Sequence, residues 1–248
     1  MDVVRLQAQN TKFYDFTLNN NFKVDLEANW RTKVCVYLGD CLDAALGLKE
    51  EGFNPLVLNM ASPARPGGGY KSGAGAQEEN LFRRTNYFQS LEDKDRLDSS
   101  RKWTYPLGEF SGIYSPSVLI FRSSEQTGYA FLPKPIEMSF VAVPAYRRPA
   151  LTESRLTDKF AEGTKKKMRL IFYIALLNGH DSLVLSAMGC GAFRNPPKHI
   201  AQLFLEVMSE EIFRGKLKHI LFAIIDDKNT GMKHNPEGNY EPFRSVFA

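Results

Sequence analysis

Two glutamates set close behind a run of glycines are the residues of this chain best suited to chemistry. Gly67-Gly68-Gly69 is followed by seven residues and then by Gln77-Glu78-Glu79. Without Cβ atoms, successive glycines let backbone approach a ligand closely and present its amides, which suits a phosphate or a ribose. A flexible surface turn is the plain alternative. Two carboxylates at the start of an expected helix are ordinarily surface groups that complement its dipole, each worth about 0.3–1 kcal/mol. Here they close a glycine loop, where they could serve acid/base cleavage of a glycosidic bond in a nucleotide-sugar. Adjacent helical residues point about 100° apart, so the pair is not expected to flank one bond from opposite sides. One glutamate would protonate the leaving oxygen and then deprotonate the attacking water, while its neighbour holds substrate hydroxyls. An oxocarbenium-like state at the ribose anomeric carbon would gain from a diphosphate held on loop amides.

Other chemistries fail on spacing. A P-loop needs lysine directly after the last glycine, but Tyr70 separates Gly69 from Lys71 and Ser72. Gly73-Ala74-Gly75 and Gly189-Cys190-Gly191 both lack the third glycine of a dinucleotide fingerprint, with Glu78 and Arg194 in its place. His180, His199, His219 and His234 have no metal-ligand spacing and read as surface or packing residues. The G-x-S-x-G elbow of serine hydrolases is missing too. No metal and no cofactor is therefore expected.

Positioning the glycine loop calls for strands that end beside it. Apolar runs predict strands at 34–38 and 56–60. Between them, Leu42, Ala45, Leu46 and Leu48 have helical spacing, with Asp40 placed as N-cap. Residues 3–30, with Leu6, Phe13, Phe16 and Phe22 in no single period, read as a partly helical extension. A helix is expected over 78–91, with Leu81, Phe82 and Tyr87 facing a core, then a polar connection over 92–112. Further strands are expected at 117–122, 140–143, 183–187 and 219–225, and helices at 153–177 and 196–212. The economical topology is α/β, a mixed or parallel sheet covered on both faces. No repeat or linker divides the chain, which predicts a single domain over 1–248.

Composition narrows the setting. At 248 residues, 43% of them hydrophobic, the chain can bury a core without staples. Cys35, Cys41 and Cys190 are too few and scattered for a zinc cluster, and read chiefly as buried thiols in a reducing compartment. The first ten residues are polar, and no apolar run reaches about 18 residues, so an intracellular, cytoplasmic or nuclear protein without a membrane span is expected. Thirty-two basic residues against 28 acidic give a net charge of +4 spread along the chain, so sequence-specific nucleic-acid binding is not expected. The densest cluster, Lys165-Lys166-Lys167 with Arg169, reads as a solvated helix face.

The motifs also stand in a telling order. Leu38-Gly39-Asp40, Asp43-Ala44-Ala45 and Val57-Leu58-Asn59 precede the glycine loop. After it come Ile113-Tyr114-Ser115-Pro116, residues 118–122 and 184–188, Gly189-Cys190-Gly191-Ala192-Phe193-Arg194-Asn195-Pro196, and residues 222–226. This series, spanning about 34–226, resembles the microbial type of poly(ADP-ribose) glycohydrolase, built on a macrodomain. The resemblance implies a three-layer α/β/α sandwich with a mixed central sheet, and hydrolysis of the ribose–ribose bond of poly(ADP-ribose) on modified proteins to release ADP-ribose. It places the acid/base role on Glu79, ribose hydroxyl binding on Glu78 and shaping of the catalytic loop on Gln77. Asp40 would accept from the adenine amino group, with Cys41 beside it in the substrate-binding set. A plain N-cap is the alternative for Asp40. Asn59 and Ser62 would contact the distal ribose, and Gly67, Gly68 and Gly69 would lie along the diphosphate and that ribose. Gly189, Cys190, Gly191 and Ala192 would form the diphosphate loop, with Phe193 beside the terminal ribose or else in the core. No aromatic is assigned to the adenine face. Two other functions share this pattern: removal of single ADP-ribose units from protein or nucleic acid, and non-catalytic ADP-ribose binding.

Overall fold

Alternation of side chains along the buried strands sets up the layers. The computed structural model describes residues 3–17, 27–92, 96–227 and 229–247. In chain order the main elements are α1 (Val3–Gln9), β1 (Lys12–Asp15), β2 (Lys33–Leu38), α2 (Cys41–Glu50), β3 (Pro55–Asn59), α3 (Gln77–Arg84), α4 (Tyr87–Leu91), β4 (Ser111–Arg122) and β5 (Phe131–Ala142). They continue with β6 (Leu151–Thr152), β7 (Arg155–Leu156), α5 (Asp158–Leu177), β8 (Ser182–Leu185), α6 (Pro197–Met208), β9 (His219–Ile224) and α7 (Tyr240–Phe247). Seven strands form one sheet in the order β1-β4-β5-β3-β8-β9-β2. β5, β3, β8, β9 and β2 run parallel, and β1 and β4 are antiparallel additions at one edge.

Leu56 and Leu58 of β3, Leu183 and Leu185 of β8, and Ile220, Phe222 and Ile224 of β9 point to one face, where they meet α5, α6 and Phe243 of α7. Val57, Val184 and Ala223 point to the other and meet α2, α3 and α4. The period of two thus gives each face its own core, and the result is the expected α/β/α sandwich on a mixed sheet.

Several elements differ from their expected bounds, each for a long-range reason. The helix expected over 78–91 is two helices. Thr85 leaves helical geometry to bridge Ile120, and Asn86 exchanges hydrogen bonds with Leu119 of β4. The first half of the expected 153–177 helix start is instead the hairpin β6–β7, so α5 begins at Asp158. β4 and β5 are each 12 residues long, because together they form a hairpin that outruns the sheet core. The 3–30 segment supplies both α1 and a strand, β1, paired with β4, while Phe22 lies outside the described residues.

The basic cluster is a solvated face only in part: Lys166 is exposed, but its neighbours are engaged by the fold. Lys167 is 3% exposed, with its ammonium hydrogen-bonded to the Glu109 carbonyl and lying over the Phe110 and Tyr146 rings. Desolvation pushes its pKa down to about 8. Lys165 pairs with Glu162 and Glu206, and Arg169 with Glu210. Cys41 and Cys190 are buried as expected, and Cys35 is partly so.

Candidate active site

The C-terminal ends of the parallel strands open onto one cavity of about 250 Å³, the position where open α/β sheets place their ligands. β2 delivers Gly39 and Asp40, β8 delivers Ser186 and Ala187, and β9 delivers Ile225 and Asp227. Gln77 and Asn80 of α3 line it from one side. Gly189, Gly191, Ala192 and Phe193 line it from the loop after β8.

The glycine loop folds onto the two glutamates. Glu78 Oε1 accepts from Gly67 N–H (3.1 Å) and Asn59 Nδ2 (3.4 Å), and its Oε2 accepts from Ser62 N–H (2.7 Å). Glu79 Oε1 accepts from Gly69 N–H (2.9 Å), and its Oε2 from Ala76 N–H (3.1 Å), capping its own helix. Gly68, between these donors, has φ +53°; a Cβ there would lie 2.4 Å from Glu79 Oε1 and 3.3 Å from Glu78 Oε2. Both carboxylates therefore face the same glycine, although they are neighbours on a helix. Gly68 needs its missing side chain both for the left-handed backbone and for this close approach.

Burial sets the electrostatics. Glu78 is 4% exposed, and desolvation pushes its pKa up to about 7, against the pull of the Ser62, Asn59 and Gly67 donors; the neighbouring Glu79 charge adds to the rise. Gln77 ties the helix start to the strand end: its Oε1 accepts from Met60 N–H (2.8 Å), and its Nε2 donates to the Leu58 carbonyl (2.6 Å) and to Cys41 Sγ (3.5 Å). Burial and the Asp40 charge push the Cys41 thiol up to about 12, so it stays a neutral wall of the cavity it lines.

Asp40 serves as N-cap and cavity wall at once. Its Oδ1 accepts from Leu42 N–H (2.8 Å), Asp43 N–H (3.1 Å) and Arg84 Nη1 (2.6 Å). The diphosphate-loop candidate is shaped by Asn195, whose Nδ2 donates to the Tyr146 carbonyl (2.8 Å) and to the Gly189 carbonyl (3.1 Å). Gly189 has φ +74°, and a Cβ there would meet Asn195 and Ala145 at 2.6 Å.

Not every expected residue reaches the cavity: Glu78, Glu79 and the Gly67–Gly69 run lie outside its lining, next to Gln77 and Asn80 that form it. Asn59 is fully buried beneath Glu78 and bonds that carboxylate, so in this structure it braces the acid instead of meeting a sugar directly. Ser62 contributes its backbone N–H, while its Oγ closes its own turn on Ala64. Cys190 turns its thiol fully into the core, its N–H is taken by the Ala187 carbonyl and its carbonyl faces His234, so neither its side chain nor its backbone groups are available to a ligand.

Other residues were not anticipated. Asn80 lines the cavity and its buried Oδ1 has no partner among the described residues. Asn80 stands directly after the Gln-Glu-Glu run, and helical spacing from Gln77 could have indicated it. Glu125, Asn229 and Asn239 come from loops whose approach no local pattern marks. Among the described residues Phe193 is the one aromatic lining the cavity, and the β9 end offers Ile224 and Ile225. Among the described residues, no group of three or more His, Cys, Asp or Glu is gathered to hold a metal, and no helix is long and apolar enough to cross a membrane.

A seven-stranded mixed sheet with this cavity at its strand ends defines a macrodomain-like α/β domain. Residues 1–123 match the family described as microbial-type PARG, catalytic domain, PARG being poly(ADP-ribose) glycohydrolase. The whole fold is similar to PARG from Deinococcus radiodurans solved in complex with ADP-ribose, at 27% identity over 99% of this chain and 97% of that one, with a TM-score of 0.78. It is likewise similar to PARG from Thermomonospora curvata bound to the inhibitor ADP-HPD, at 28% identity over 99% of this chain and 88% of that one, with a TM-score of 0.78. The first half of the chain thus matches the microbial-type PARG catalytic domain, and the fold as a whole is similar to solved bacterial PARG structures. A comparison with curated proteins returned no match.

Proposed function

We propose that the chain is a poly(ADP-ribose) glycohydrolase, acting as one catalytic domain, that hydrolyses the ribose–ribose bond to release ADP-ribose by glutamate acid/base chemistry without a metal. The observation that carries this reading is the pair of carboxylates turned onto Gly68 beside a cavity that also holds Asp40 and the Gly189–Phe193 loop. ADP-ribose would lie across the strand ends, with its adenine toward Asp40 and its diphosphate on the loop amides. Glu79 gives its proton to the leaving ribose oxygen as the anomeric C–O bond breaks. It then takes a proton from the water whose oxygen bonds to that carbon, which restores the acid. Glu78, fixed by three donors, holds the hydroxyls of the ribose undergoing cleavage and keeps the glycine loop folded.

The test is release of ADP-ribose from poly(ADP-ribose) by the purified protein, with and without chelator, compared with Glu79→Gln and Glu78→Gln. Loss of the general acid costs typically 10²–10⁴-fold, so Glu79→Gln should fall in that range while still binding ADP-ribose. Full activity in Glu79→Gln together with loss in Glu78→Gln would exchange the two roles. Tight ADP-ribose binding with no turnover by the wild type would make the chain a binding module, and turnover of mono-modified substrates alone would move it to single-unit removal.

A further inference from the structure

Among the described residues the least exposed charged group is Arg84, whose side chain is 2% exposed at the C-terminal end of α3. A buried guanidinium is costly unless each of its donors is matched. Here Nη1 donates to Asp40 Oδ1 at 2.6 Å, Nη2 to Asp43 Oδ1 at 2.9 Å and Nε to the Arg122 carbonyl at 3.3 Å. These three acceptors belong to two separate parts of the fold: the N-cap and first turn of α2, and the end of β4, whose hairpin brings Glu125 to the cavity. Arg84 thus clamps one wall of the cavity from behind.

The clamp acts on one oxygen. The helix amides of Leu42 and Asp43 and the guanidinium all bond Asp40 Oδ1. Among the described residues none donates a hydrogen bond to Oδ2, on a carboxylate that lines the cavity. An N-cap needs only the amide contacts, and aspartate at a cap requires no buried arginine. With Oδ1 fixed from three directions, the rotamer is locked and Oδ2 is held as an acceptor of set direction. Arg84 is also on the same eight-residue helix as Glu78 and Glu79, so the helix that carries the acids at one end holds the cavity's fixed acceptor at the other.

We propose that Arg84 is a positioning residue that orients Asp40 to accept from the exocyclic amino group of the nucleobase, making nucleobase selectivity a property of the catalytic helix. This rests on the reading of the cavity as an ADP-ribose site. A lysine cannot reproduce the effect, because its point charge lacks the planar fork that reaches two carboxylates and a carbonyl together.

The experiment compares, by calorimetry, the binding of ADP-ribose and of its analogue carrying unsubstituted purine, which lacks only the amino group. A hydrogen bond to a charged acceptor supports a preference of roughly tenfold or more, so the wild type should favour ADP-ribose by that factor. Arg84→Lys should collapse the preference, weakening ADP-ribose while moving the purine analogue less than about twofold. Should that variant fail to fold, Asp43→Ala decides: Asp43 is 48% exposed, and loss of its carboxylate frees one arm of the fork, so the preference should shrink about threefold. A purely structural arginine would weaken both ligands equally, and an unchanged ratio or an equal loss in the folded variant overturns the proposal. A wild type that binds neither ligand overturns the ADP-ribose reading itself, and one that binds both equally removes the role given to Asp40.

Discussion

The Asp40 wall of the cavity and the glutamate pair that adjoins the cavity through Gln77 and Asn80 are built on different principles. At the Asp40 end, a side chain is held by other side chains, and one buried arginine sets the direction of a carboxylate. At the glutamate end, side chains are held by backbone: Gly67, Gly69, Ser62 and Ala76 all donate N–H groups to Glu78 or Glu79. The first arrangement is rigid, because removing one partner strands a buried charge. The second depends on loop shape, because the donors belong to a segment that must keep left-handed residues and close approach. On the proposed function, recognition would rest on a fixed acceptor, whereas the glutamates rest on a loop whose amides they themselves occupy.

Breaking the glutamate end should have the largest effect. Glu79→Gln should lower the rate on poly(ADP-ribose) by about 10²–10⁴-fold, with affinity for ADP-ribose changed by less than about threefold; equal losses in rate and affinity would show that the two ends are not separable.

Glu78 gives the next effect, in stability. Its folded pKa of about 7 lies above the ordinary glutamate value of 4.5, so between these pH values the folded state binds more protons than the unfolded. Its contribution is fully present below about pH 4.5 and is lost as pH rises through 7, an order-of-magnitude change of about 3 kcal/mol. His180, His199 and His219 have pKa values pushed down by burial and act in the opposite sense around pH 6.5. The difference between wild type and Glu78→Gln isolates the glutamate. Urea unfolding across pH 4.5–8 should show the variant gaining on the wild type as pH rises, and parallel curves would refute the assignment.

A smaller effect tests the loop itself. Gly68→Ala adds a Cβ 2.4 Å from Glu79 Oε1 at a residue with φ +53°. The left-handed backbone costs about 1–2 kcal/mol for a residue with a Cβ, and the carboxylate must move. The rate should drop by roughly tenfold or more, while the base preference set at Asp40 stays as in the wild type. A change in that preference would mean that the loop and the clamp move together.

How much of this was legible in the sequence follows from how local each determinant is. The central strands were readable because each is a short apolar run buried on both faces, and Asp40 as N-cap was readable because a cap acts within three residues. The pairing of the glycine loop with Glu78 and Glu79 could be inferred from spacing, but not that both carboxylates converge on Gly68, since helical geometry alone turns them apart. The break after Arg84 was invisible because Thr85 and Asn86 are drawn off by β4, more than thirty residues along the chain. The outer half of β5 was missed because it is largely exposed and shows no apolar run. Arg84 and Lys167 looked like ordinary helix charges; acceptors 38–58 residues away bury them.

The smallest expected effect concerns the face that the base would rest on. Among the described residues no aromatic lines the cavity beside Asp40, and Ile225 would take that place: it is 50% exposed, lines the cavity, and follows Ile224, whose carbonyl accepts from Gly39 N–H at 2.9 Å beside Asp40. An exposed isoleucine at a strand end contributes little to folding, so its apolar surface is available to a flat ring. Ile225→Ala removes three carbons from that surface, and at about 0.8 kcal/mol for each fully buried methylene, with only part of the side chain covered, the loss should be near 1 kcal/mol. ADP-ribose affinity should fall about fivefold, the purine analogue should fall by the same factor, and the unfolding midpoint should stay put. Equal loss for both ligands is what separates stacking on Ile225 from amino-group recognition at Asp40. A loss confined to ADP-ribose would assign Ile225 to orienting Asp40, and no loss at all would place the base elsewhere in the cavity.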